Sequence, residues 1–307
     1  HAVPDAVCAP LHAAASVIPV SLMKIGSDEH KERFCRDFIA SHCRFDPSTL
    51  TWPNLDELSL DRLRAIPFWQ EVLYTERRAG AIVDAYAQTI ADPLVRDAVA
   101  LQGFEEARHA SLLREMIRRY GIAADERPLD EPLSLDLRRA FADFGYGECL
   151  DSFLGFGVFK IARRSGFLPE RLFEIFDMLM REETRHIVFF INWMAWQQAS
   201  RGGLAGWLRG VTAARYYGRA IGRLLGTVRR GRRANDGRDF SATQASVFLK
   251  GFTLRGFVEE CCAEHERRMR DFDPDLLRPS FLPKLAAITL TGLRLGRGFR
   301  AVREERV

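Results

Sequence analysis

From about Asp61 the apolar residues recur three and four positions apart, the period of helices that bury one face. Ahead of that point Pro4, Pro10, Pro19, Pro47 and Pro53 interrupt the chain. Residues 1–60 therefore read as an irregular lead-in, with helical spacing only around Asp28 to Ile39. Four long helices are predicted next. The first spans about Pro67 to Ile90. After a turn at Asp92, Pro93 opens the second, which runs to Tyr120 and stops at Gly121. An Asp-, Pro- and Glu-rich stretch, Ala123 to Pro132, makes a longer connection. Ser134 caps a third helix that reaches Arg164 and ends at Gly166, and Pro169 opens a fourth that reaches Gln198. No stretch alternates with the period of a strand. The expected fold class is all-α, with two helical hairpins forming a four-helix bundle over residues 61–200.

Residues 201–307 begin with Gly202-Gly203 and continue as a basic amphipathic helix over Trp207 to Arg233. A polar loop at Ala234 to Asp239 and helical stretches near Ala242 to Arg270 and Phe281 to Leu295 follow. They are expected to pack on the bundle as a basic C-terminal extension. Charge sharpens that division. The net charge of +4 conceals 22 Lys+Arg against 11 Asp+Glu in residues 201–307, and 23 against 30 in the first 200. The arginines at 215, 219, 223, 229, 230, 232 and 233 suit simple docking with a solvated basic face, or an acidic carrier protein or anionic membrane surface. No reading motif accompanies them, so nucleic acid is not an expected partner.

Six scattered cysteines form no C-x-x-C pair, which argues against a zinc or disulfide framework and for a reducing cytoplasm. No apolar run reaches the eighteen or so residues of a bilayer span. The patch Ala13 to Val20 lacks a basic stretch ahead of it, so a signal peptide is not expected.

The candidate chemistry lies in one phrase written twice. Glu105-Glu106-Ala107-Arg108-His109 sits in the second helix, and Glu182-Glu183-Thr184-Arg185-His186 sits 77 residues later in the fourth. Helix positions i and i+3 share a face, so Glu106 with His109, and Glu183 with His186, can each aim a carboxylate and an imidazole at one point. One Glu-x-x-His is weak evidence; two, with two further glutamates at suitable spacing, are strong. Glu76 precedes Glu106 by thirty residues and Glu148 precedes Glu183 by thirty-five, spacings that set them level across each hairpin. Glu148 lies among Phe144, Leu150, Phe153, Leu154, Phe156 and Phe159, where an unneutralised carboxylate would be costly. Four carboxylates and two imidazoles suit a pair of iron or manganese ions before zinc. The cluster Glu259 to His265 has no partner cluster and reads as a charged helix with two core cysteines. Tyr74 and Tyr146 read as packing residues before redox-active ones.

This pattern resembles the ferritin-like di-iron carboxylate superfamily, which includes the acyl-carrier-protein desaturases, bacterial multicomponent monooxygenases, the ribonucleotide reductase small subunit and rubrerythrin. Residues 105–113 are nearest to the Glu-Glu-x-Arg-His box of the desaturases, and the likeness covers about residues 65 to 200. It implies a ferritin-like bundle holding two Fe ions, with Mn as an alternative, on Glu76, Glu106, His109, Glu148, Glu183 and His186. It implies that Glu105 and Glu182 each hydrogen-bond a ligand imidazole, and that Ser152, one turn past Glu148, assists catalysis. The expected activity is an oxygen-activating oxidoreductase that hydroxylates, desaturates or N-oxygenates an apolar or carrier-bound substrate, fed by an external electron donor. Ser152, Gly155 and Gly157 beside several phenylalanines would make room for that substrate. The alternative is an iron-handling ferroxidase or storage protein, or a peroxide-detoxifying one of rubrerythrin type. Enzymes of this kind run as monomers or homodimers.

Overall fold

The computed structural model describes residues 7–8, 23–129, 136–200, 206–233 and 253–291, and within them the fold is all-α. Helix α1 is Asp28–Ala40, capped by the Ser27 side chain, and α2 is Glu57–Arg64, capped by Asp56. The four long helices follow as α3 (Trp69–Ala87), α4 (Pro93–Tyr120), α5 (Leu137–Arg164) and α6 (Glu170–Ser200). Helix α4 starts and stops as its punctuation dictates. Asp92 accepts from Val95 N–H, Pro93 takes the first turn, and Gly121 ends the helix at φ 58°, a left-handed conformation that costs glycine little. Asp136 caps α5; the expected cap, Ser134, lies outside the described residues.

Helix α3 packs along α4 and touches α5, while α6 packs on α5 and touches α4, so the four surround a shared interior. Apolar residues fill it on both sides of a polar middle. One cluster gathers Phe141, Phe156, Phe189, Phe190 and Trp193; the other gathers Leu63, Trp69, Leu112, Leu113, Met116 and Leu172. The lead-in is more ordered than its prolines suggest: α1 lies against α4 and α6, and a 3-10 turn at Pro47–Thr49 touches α4.

In the basic third, α7 (Gly206–Arg233) and α8 (Leu254–Met269) pack on α5, and a last described helix, α9, covers residues 281–291. The α7 apolar face docks through Tyr216 and Tyr217, which stack on Tyr146 and on Phe281 of α9. Arg219 pairs with Asp143 of α5 at 2.6 Å and Arg223 reaches the same carboxylate at 3.8 Å; Arg215 and Arg223 are exposed. The polar loop expected at 234–239, the start of the stretch expected from Ala242 and the end expected at Leu295 lie outside the described residues.

Cys35, Cys149, Cys261 and Cys262 are free thiols. Cys43 is disulfide-bonded, contrary to the reading of unpaired cysteines throughout. Its short strand β2 (Cys43–Arg44) pairs antiparallel with β1 (Val7–Cys8), which sets Cys8 opposite Cys43 in the register. Spacing along the chain carries no trace of that pairing. No helix among the described residues is long and apolar enough to cross a membrane.

Candidate metal centre

The middle of the bundle is polar because four helices each turn a glutamate inward at one level. α4 contributes Glu106 and His109, α6 contributes Glu183 and His186, α3 contributes Glu76, and α5 contributes Glu148. They form two overlapping groups able to hold a metal: Glu76, Glu106, His109 and Glu183, and Glu106, Glu148 and His186. His109 Nδ1 lies 3.4 Å from Glu76 Oε2, 3.2 Å from Glu183 Oε1 and 3.8 Å from Glu106 Oε2. His186 Nδ1 lies 3.1 Å from both Glu106 Oε1 and Glu148 Oε1, and 3.9 Å from Glu183 Oε2. Glu106 and Glu183 thus turn one oxygen towards each imidazole, while Glu76 and Glu148 serve one side each.

Two observations fit this set to metal ions. Both Nδ1 atoms, together with Glu148 Oε1, are buried and without a hydrogen-bond partner, although all face the cluster. The four carboxylates with neutral imidazoles carry four negative charges, which two divalent cations would balance; bare burial of that charge is prohibitive. Electrostatics show the strain. Burial pushes the Glu76 carboxyl up to about 8 and the Glu148 carboxyl well above its ordinary value. For the two imidazoles burial disfavours the charged form, but the surrounding glutamates outweigh it and raise both well above the usual histidine value.

The far nitrogen of each imidazole is fixed by the acid of the other box. His186 Nε2 meets Glu105 Oε2 at 2.8 Å, and His109 Nε2 meets Glu182 Oε2 at 2.9 Å. Each donates there, so Nδ1 is the nitrogen turned to the cluster and offers its lone pair once its own proton is displaced. Glu105 and Glu182 are fully buried, and each is neutralised by the arginine of the opposite box: Arg185 Nη1 donates to Glu105 at 2.8 and 3.0 Å, and Arg108 donates to Glu182. Burial works against the Glu105 carboxylate, yet Arg185, His186 and His42 together hold it well below the usual range. His42, Glu105 and Glu182 also form a group of metal-ligating type, but the two guanidiniums already supply its positive charge.

Three participants were not expected from the sequence. His42 Nδ1 lies 2.5 Å from Glu105 Oε1, reaching in from beyond α1. Arg185 is anchored by Ser41 Oγ at 2.9 Å and Phe38 O at 2.5 Å, so the lead-in braces one side of the centre. Gln102, one turn before Glu106, donates to Glu148 Oε2 at 3.2 Å. A polar residue on the buried face of α4 was the available signal for Gln102; His42 left none nearby.

The room expected for a substrate is only partly there. Ser152 is buried one turn from Glu148 but belongs to neither group. A side chain at Gly157 would run into Cys261 of α8, so that space is filled, whereas Gly155 faces open space. In the cluster Glu259 to His265, Cys261 is buried against α5 and Glu264 pairs with Arg267 and Arg268, which leaves it structural. Tyr146 is packed between Phe190, Tyr216 and Tyr217. No family model, curated protein or solved structure matches the chain.

Proposed function

We propose that the chain is a ferritin-like non-haem di-iron oxidoreductase that activates O2 to oxidise an organic substrate. The observation that carries this reading is the pair of buried, unpartnered imidazole Nδ1 atoms facing four carboxylates in a doubled arrangement. Iron would be held by Glu76, Glu106, His109, Glu148, Glu183 and His186, with manganese the alternative metal. Bound iron supplies electron exchange with O2, which no side chain here can do.

The chain's own part is to place and protect. Glu105 and Glu182 fix the imidazole tautomers, and Arg185 and Arg108 each donate to the acid of the opposite box. The apolar clusters above and below exclude water from the centre. Glu76 and Glu183 keep 13% and 11% of their side-chain surface exposed, more than the other members, so a substrate reaches the centre from their side. A small apolar or carrier-bound substrate suits this interior. The exposed Arg215 and Arg223 of α7 offer an acidic carrier protein or anionic membrane a landing face, and reducing equivalents come from an external donor.

Metal analysis of protein from its native host tests the reading: two irons, or manganese, per chain are expected, and a single zinc ends it. With a reductant present, Glu148→Ala is expected to abolish O2 consumption; full consumption by that variant sinks the assignment. Ferroxidase or storage activity is the second reading, since the same donor set would hold ferrous iron for oxidation by O2, which takes up the electrons. It predicts iron accumulating beyond two per chain and a large shell by size measurement.

A further inference from the structure

The repeat that builds the centre is broken at one buried position. Four residues before Glu106 stands Gln102, and four before Glu183 stands Leu179. Leu179 belongs to an apolar cluster, as a buried helix face would have it. Gln102 is 0% exposed, and its Nε2 donates to Glu148 Oε2 at 3.2 Å and to Glu106 Oε1 at 3.4 Å. Its carbonyl oxygen has no hydrogen-bond partner. The reversed amide would press that oxygen on two carboxylates, so the partners select the orientation with the NH2 inward.

The consequence falls on Glu148. Its Oε2 is engaged by the amide, while Oε1 is unpartnered and 3.1 Å from His186 Nδ1. Turning the carboxylate to offer both oxygens to one ion would break the amide contact and leave a buried N–H group unsatisfied, which disfavours that turn.

We infer that Gln102 is a positioning residue that restricts Glu148 to a single ligating oxygen, and so reserves a coordination position beside His186 for a small exogenous anion. The inference rests on the di-metal reading above. Without the amide, Glu148 would swing to bind through both oxygens and occupy that position itself.

Cobalt(II) is a redox-quiet probe whose visible absorption follows coordination number. Full-length wild type, Gln102→Leu and Gln102→Met would be loaded with cobalt, counted by metal analysis and titrated with azide. Two cobalt ions per chain are expected in all three, with azide binding to the variants weakened about tenfold or more. Methionine keeps the unbranched shape should leucine disturb the fold. Azide affinity in a fully loaded variant equal to that of wild type overturns the inference, as does loss of an ion from both variants. Failure of the wild type itself to take two ions overturns the di-metal reading, and the inference with it.

Discussion

At the scale of single residues, the centre is held by charges that need one another. Glu105 is fully buried, and Arg185 supplies its neutralising charge. Arg185→Leu would leave that carboxylate with His42, His186 and a more distant Arg108 at 4.0 Å, and should cost about 3–5 kcal/mol of stability in denaturant unfolding. Glu105→Gln keeps the shape but weakens the hold on His186 and should lower metal affinity about 10- to 100-fold in a chelator competition. Unchanged affinity would mean that tautomer control at His186 is immaterial. The same charges set a pH dependence. Glu76 is raised to about 8, so in the metal-free fold it is mostly protonated at neutral pH. A raised carboxyl favours the metal-free fold fully below about 4.5, and that advantage is lost as pH rises through about 8. Metal must displace those protons. Affinity for a divalent ion should therefore rise with pH up to about 8, with protons released at pH 7. Calorimetry in buffers of different ionisation enthalpy reads that release, and a buffer-independent heat would refute it. Much of this was legible in the chain. Glu105-Glu106-x-x-His109 and its copy named four candidate ligands and the two supporting acids, and hairpin spacing added Glu76 and Glu148. The crossing of each acid and arginine to the other helix was not, because it depends on how α4 and α6 face each other.

At the scale of elements, the helix limits followed the punctuation where caps act locally, as at Pro93 and Gly121, and drifted by a few residues where the ends lack such signals, as at α3. What the pattern did not reveal is how close two of the helices come. α3 and α4 meet backbone to backbone at Gly103, where an added Cβ would lie 3.1 Å from the Asp84 backbone nitrogen. Gly80 lies on the other side of the same contact, with Ala107 N 3.3 Å from its own would-be Cβ. This seam runs one turn from both Glu76 and Glu106, so it fixes their separation. Gly103→Val should push the helices apart, cost about 1–3 kcal/mol or more, and lower Tm. It should also lower metal affinity, since Glu76 moves with α3. A variant destabilised by that much that keeps wild-type metal affinity would show that the seam serves stability alone.

At the scale of the whole molecule, α1 and the segment before α9 are joined to α6 through one buried asparagine. Asn192 on α6 accepts from His30 Nε2 at 3.0 Å and from Leu277 N at 2.9 Å, and donates to Leu277 O at 2.9 Å. Arg33 of α1 pairs with Asp273 beside it. The irregular reading of residues 1–60 missed this because the bonds span 85 to 240 residues, and no local pattern encodes them. The clamp also carries a pH sign opposite to that of Glu76. Burial lowers the His30 imidazole, and burial against Phe153 and Phe156 lowers His265 to about 4. A depressed histidine contributes stability that is present above about 6.5 and lost as pH falls through its folded value. For His265 that amounts to about 3 kcal/mol, exhausted near pH 4. Acid should therefore loosen α8 and the segment carrying Leu277 before it opens the centre, where Glu76 is still protonated and at ease. Hydrogen exchange, corrected for intrinsic rates, should show protection at residues 261–291 falling between pH 6.5 and 4.5 while α4 holds. Asn192→Leu should bring that loosening to neutral pH, because His30 and Leu277 lose their shared partner. Simultaneous loss of protection in α4 and α8 at every pH would mean the clamp and the centre unfold as one unit.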